Sequence, residues 1–197
     1  HLISSENLSY SLGDNCLREA FKQVRESGFY IFTDLWKKEF CSRISSEIDL
    51  LTEEKGIEVN YGGSEHRIWN SQSKSEGIKE FEQFSNQIMS SFENKQKKAF
   101  DILAYRNLPI KEEVSEFIDG RWHIDSIRNQ FKVFLFLKDV NSLNGPFEWI
   151  PETHKLLFKT KQTLKGNYLA LSDFLGKNRQ YQHIPESEIV TLLNKNN

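Results

Sequence analysis

The sequence predicts an α+β fold, helices first and strands later. Three observations carry this. Apolar residues recur at helical spacing in three stretches of the first half. The run Phe131-Lys-Val-Phe-Leu-Phe-Leu137 is almost wholly apolar, as a buried strand would be. Turn-forming residues then separate that run from a second aromatic stretch.

The elements follow in order. Residues 15–27 form a helix with Leu17, Phe21 and Val24 on one face, Asp14 near its start and Gly28 just past its end. Residues 29–32, Phe-Tyr-Ile-Phe, read as a short strand. A second helix covers residues 37–52, with Phe40, Ile44, Ile48 and Leu51 on its apolar face. Residues 56–74 are polar, contain Gly62-Gly63, and read as a long loop in which His66 and Arg67 have surface roles by default, with substrate contact the other reading. Ile78, Phe81, Phe84, Ile88 and Phe92 mark a third helix. Residues 99–107 alternate, with Phe100, Ile102 and Ala104 on one side and Arg106 following on that side. Residues 111–117 are charged and read as a loop or helical turn. Strand 131–137 is expected to be covered on both faces. Asn141-Ser-Leu-Asn-Gly145 is a turn, and residues 147–150 form a returning strand stopped by Pro151.

The chemistry points to Gly120-Arg-Trp-His-Ile-Asp-Ser126. Side chains two apart on a strand share a face, so His123 and Asp125 converge. An imidazole and a carboxylate are two corners of the two-His-one-carboxylate arrangement that leaves open positions on Fe(II). With five His in the chain a bare His-x-Asp is a weak motif, and its surroundings carry the weight. Lys132 shares a face with Phe134 and Phe136. Its ammonium is a candidate to hold an acid, with Phe134 as a pocket wall; the plainer reading is a lysine reaching solvent at a strand start. Arg106 is the other candidate cofactor-binding residue.

Those surroundings resemble the phytanoyl-CoA dioxygenase family of Fe(II)/2-oxoglutarate oxygenases. The resemblance runs through Trp122-His-Ile-Asp-Ser126, Gln130-Phe-Lys-Val-Phe-Leu-Phe-Leu-Lys-Asp-Val140, Asn144-Gly-Pro-Phe-Glu-Trp-Ile-Pro151 and Thr153-His-Lys155. A looser likeness covers Gly28-Phe-Tyr-Ile-Phe32 and His66-Arg-Ile-Trp-Asn70. The resemblance implies a double-stranded β-helix, or jelly roll, with the N-terminal helices packed on the sheet. It implies Fe(II) held by His123 and Asp125, 2-oxoglutarate and O2 as co-reactants, and hydroxylation of a small organic or lipid-like substrate. Related halogenating enzymes carry a small residue where Asp125 stands, so Asp125 points to hydroxylation. The family's third His and its 2-oxoglutarate-binding Arg lie on later strands and have no match here. Residues 1–197 therefore read as a single dioxygenase-like domain lacking its last strands, with little activity expected from a chain ending at Asn197.

Composition bounds the alternatives. The length suits one domain, and fifteen Phe and four Trp furnish its core. A net charge of −2 argues against a nucleic-acid-binding surface. Cys16 and Cys41 read as free thiols in a reducing, cytoplasmic compartment. No apolar stretch reaches the length of a membrane span. Two other functions fit the same residues. One is a non-catalytic jelly-roll binding module. The other is a cupin-like or zinc hydrolase with His154 or His183 as third ligand.

Overall fold

A computed structural model describes residues 2–60, 63–99, 101–108, 122–126, 129–142, 146–165 and 182–195. The chain is α+β, with five α-helices and two small antiparallel sheets among these residues. It divides into two compact units. The first comprises His1–Arg18, Phe32–Glu116 and Val133–Pro146; the second comprises Glu19–Ile31, Phe117–Lys132 and Phe147–Asn197. Helix α1, Asp14–Ser27, runs from the first into the second.

The first unit is built on helix α2, Lys38–Leu51, and helix α3, Glu76–Glu93. Against them lies a sheet of β1, Glu58–Asn60, β2, Glu65–Ile68, and β3, Ala104–Asn107, in the order β1-β2-β3. The apolar stripe of α2 drives this arrangement. Phe40, Ile44, Ile48 and Leu51 are buried with Ile68, Ile78 and Ala104 in one cluster. Trp36 stacks on Phe40 at 4.5 Å and meets Phe84 edge-on at 5.1 Å. Ser75 caps α3 by accepting from the Ile78 N–H at 3.0 Å, while its own hydroxyl donates to Glu47 on α2. Gly77 lets the two helices approach, because a Cβ there would stand 2.7 Å from Ile44.

Two expectations are corrected in this unit. The described residues of 56–74 are not one long loop: they include β1, β2 and a 3-10 turn, Ser71–Ser73. Their apolar content is too low to show a strand period. Ile68 anchors β2 in the core, and polar contacts do the rest. The Trp69 indole donates to Glu58 at 2.7 Å, and Arg67 pairs with Glu65 at 2.7 Å. The second correction concerns residues 131–137. They form no assigned strand and are not covered on both faces. Leu135 and Leu137 pack on the core cluster, whereas Lys132, Phe134 and Phe136 are exposed. The double apolar face that looked like two-sided burial is met instead by the Phe134 and Phe136 rings stacking on each other at 6.4 Å.

The second unit contains β4, His123–Ile124, and β5, Gln182–His183, paired antiparallel. It also holds helix α4, Leu156–Lys165, and helix α5, Glu186–Lys195. Gln162 on α4 donates to Glu188 on α5 at 2.7 Å, and Ile189 is buried. The stretches 29–32 and 147–150 join no sheet among the described residues. Aromatic runs favour strands only where a neighbour takes their backbone groups. Residue 149 does something else. Trp149 donates its indole N–H to Ser27 O at 3.1 Å, and His154 donates Nε2–H to Arg25 O at 3.1 Å. Both satisfy carbonyls at the end of α1. Gly28, at φ 94°, lies beneath them; a Cβ there would fall 2.5 Å from His154 Nδ1. The two facing sheets of a jelly roll are not traced by the described residues. Phe100, residues 111–117, Gly120, Asn144 and Gly145 lie outside those residues.

Candidate metal centre

The local sequence explains why His123 and Asp125 meet. Trp122 and Ile124 flank His123, and the segment is extended enough to pair with β5: His123 lies opposite His183 and Ile124 opposite Gln182. Ile184 N–H donates to Trp122 O at 2.8 Å. Pro185 then ends the ladder, since it has no N–H, and opens α5 with Glu186 and Glu188 in the first turn.

The expected convergence of the pair is present. His123 Nε2 donates to Asp125 Oδ1 at 3.1 Å. Lys132 donates from Nζ to the other oxygen, Oδ2. The His123 hydrogen bond holds the Asp125 carboxyl well below the usual carboxylate range; burial opposes this, and the Lys132 ammonium adds to the lowering. The field of Asp125 also reaches α4. Burial lowers the Lys159 pKa from its ordinary value, and Asp125 acts in the opposite direction.

The donor set fits a divalent metal at the two positions it supplies. Imidazole nitrogen and carboxylate oxygen bound at about 2.1 Å and at right angles stand about 3 Å apart. The observed 3.1 Å between Nε2 and Oδ1 matches that separation. Metal binding would exchange their hydrogen bond for two coordinate bonds, with the imidazole proton carried on Nδ1 instead. Among the described side chains no group of three or more His, Cys, Asp or Glu converges.

The other candidate residues have defined places. Lys132 is at the pair, on Asp125. Phe134 belongs to the first unit, with its ring exposed. Arg106 is committed to helix α2: its NH2 group donates to Ser45 O at 2.9 Å and Ser45 Oγ at 3.0 Å, and pairs with Asp49. His154 is used at the end of α1, with Nδ1 buried and no hydrogen-bond partner for it among the described residues. Sequence reasoning missed Lys159 because helix α4 was not expected. Its exposed Leu156, Leu157 and Leu164 give no clean apolar stripe from which to find it.

A cleft of about 450 Å³ in the first unit is lined by polar residues including Asn7, Arg43 and Glu80. The Glu80 carboxylate there accepts from Ser5 Oγ and from Asn7 Nδ2 at 2.8 Å, so it fastens the N-terminal segment to α3.

No family model, no curated protein and no solved structure matches this chain.

Proposed function

We propose that this chain is a non-haem iron oxygenase of the phytanoyl-CoA dioxygenase type, using 2-oxoglutarate and O2 to hydroxylate a small organic or lipid-like substrate. The jelly roll belongs to this reading. The single observation behind it is the His123 Nε2 to Asp125 Oδ1 distance of 3.1 Å, two ligand-type atoms of one short segment, β4 and the bend after it, at the spacing of neighbouring metal ligands.

Fe(II) bound with 2-oxoglutarate supplies the oxidising power for an unactivated C–H bond. The chain's residues do the rest. His123 and Asp125 offer adjacent ligands and leave the remaining positions open. Asp125 arrives already ionised, because His123 and Lys132 both favour its charged form. Lys132 brings a mobile ammonium to the same point, suited to the carboxylate of an acidic co-substrate once a metal takes its place on Asp125.

The test is anaerobic Fe(II) and 2-oxoglutarate binding, followed visibly by charge transfer from iron to the chelated oxoacid, and then succinate release on admitting O2. Wild-type protein is expected to develop the absorption, and Asp125→Ala is not. An identical response in both would remove the pair from the chemistry.

A second reading, the non-catalytic binding module, is favoured by one contact. Lys132 on Asp125 makes a His-Asp-Lys set that is charge-balanced by protein groups alone. In that case Fe(II) would not bind, and Lys132→Met would leave Asp125 without its cation.

A further inference from the structure

We propose that helix α4 is a membrane-surface element, which lays an outward apolar face on an anionic lipid bilayer. The proposal is independent of the iron reading and uses none of its residues.

Helix α4, Leu156–Lys165, is turned inside out. Its buried residues, Gln162 and Thr163, are polar. Its leucines face outward: Leu156 is 62% exposed, Leu157 82% and Leu164 57%. Hydrogen bonds hold that orientation. Gln162 donates to Glu188 on α5 at 2.7 Å, and the Thr163 hydroxyl donates to Lys159 O at 2.8 Å, so both polar side chains are satisfied where they are buried. Rolling the helix to bury its leucines would break the bond to Glu188. At 3.6 residues per turn, Leu156, Leu164 and Leu157 fall within about 100° of one another around the axis. Phe158 lies on the far side, half-buried, which blurs the pattern in the sequence. On the folded helix the three leucines stand together.

Charge selects the occupant. From Lys155 to Lys165 the sequence holds four lysines and no aspartate or glutamate, in a chain whose net charge is −2. Lys161 is exposed and borders Leu157 and Leu164 around the helix. A second copy of the chain fits this face poorly, because a symmetric α4–α4 contact would set lysine against lysine. An anionic bilayer meets both features: headgroups take the ammonium groups and the acyl boundary takes the leucines. The leucines form a convex ridge, around which a fluid layer closes without a matching groove. A helix also satisfies its own backbone, as an interfacial segment must. None of the described helices is long and apolar enough to cross a membrane, so the contact is superficial.

Flotation of the full chain with vesicles of phosphatidylcholine, with and without phosphatidylserine, tests the proposal. The wild type is expected to float with the phosphatidylserine vesicles, and less so as salt rises or when phosphatidylserine is omitted. Leu157→Ser and Leu164→Ser should each weaken partitioning roughly tenfold. Lys161→Glu should weaken it only where phosphatidylserine is present. Leu50→Ser, at a comparably exposed leucine of α2 in the first unit, should leave it unchanged. All four positions are exposed, so the fold is retained in each variant. No flotation of the wild type overturns the proposal, as does flotation unaltered by the two leucine substitutions combined. Binding that ignores both phosphatidylserine and salt overturns the anionic assignment. Leucine-dependent self-association in light scattering, in place of flotation, gives the face to a second copy instead.

Discussion

Arg106 and Lys132 are both basic residues paired with an aspartate, and their surroundings differ in kind. Arg106 stands on a sheet backed by a buried apolar cluster, and its guanidinium is divided among a backbone carbonyl, a hydroxyl and Asp49. Every one of those partners is on helix α2, so the contact fastens scaffold to scaffold. Lys132 is a single flexible ammonium on Asp125, beside the imidazole of His123, just past a ladder two residues long. No apolar stripe explains that ladder. A planar, multiply bonded guanidinium suits a fixed structural joint, whereas a lysine that can swing away suits a place where a ligand must enter. The first region is stability; the second is a set of polar groups brought together at the cost of little burial.

Substitutions can break or sharpen that contrast. The largest effect is expected from Asp125→Ala, which should abolish Fe(II) binding while leaving the far-UV circular dichroism unchanged; metal analysis after anaerobic reconstitution checks it. Next comes Ile68→Ala in the core cluster of the first unit, with a loss of about 2–5 kcal/mol in denaturant unfolding. Gly28→Ala should cost about 1–3 kcal/mol, since the residue combines φ 94° with the close approach of His154 and Trp149. A melting temperature equal to wild type would show that the α1 end is not held as described. Arg106→Met is expected to lower stability by about 1 kcal/mol through loss of its bonds to Ser45. Its 2-oxoglutarate affinity, read by calorimetry, should stay at the wild-type value; a large fall would move Arg106 from the scaffold to the cofactor.

The smallest effect concerns pH. Asp125 has its folded pKa depressed, so its contribution to stability is present above the unfolded carboxylate value of about 4 and is lost as pH falls through the lower folded value. Carboxyl NMR shifts followed through acid should place its midpoint below those of exposed aspartates. An ordinary midpoint would mean that His123 and Lys132 do not favour its charge.

Much of the first unit was legible. The α2 stripe of Phe40, Ile44, Ile48 and Leu51 became the core, and the α3 stripe packs beside it, because a 3.6-residue period records burial directly. The strands β1 and β2 were not legible, since Glu58, Glu65 and Arg67 stabilise one another only after folding brings them level. Residues 131–137 misled in the opposite sense: Phe134 and Phe136 are apolar without being buried. At the candidate site, the approach of His123 to Asp125 was foreseeable from the two-residue spacing. The place of His154 was not, because nothing local tells a ligand from a side chain that closes the end of a distant helix.

By itself the sequence determined helices α1, α2 and α3, the α+β class and the meeting of His123 with Asp125, all of which follow from periods and spacings within a few residues. Only the tertiary structure decided that Lys132 rests on Asp125, that Arg106 serves helix α2, and that His183 stands opposite His123. The last two placements join residues far apart along the chain, and backbone pairing and burial bring them together rather than any local pattern; the first spans seven residues across a segment with no repeating pattern to predict it.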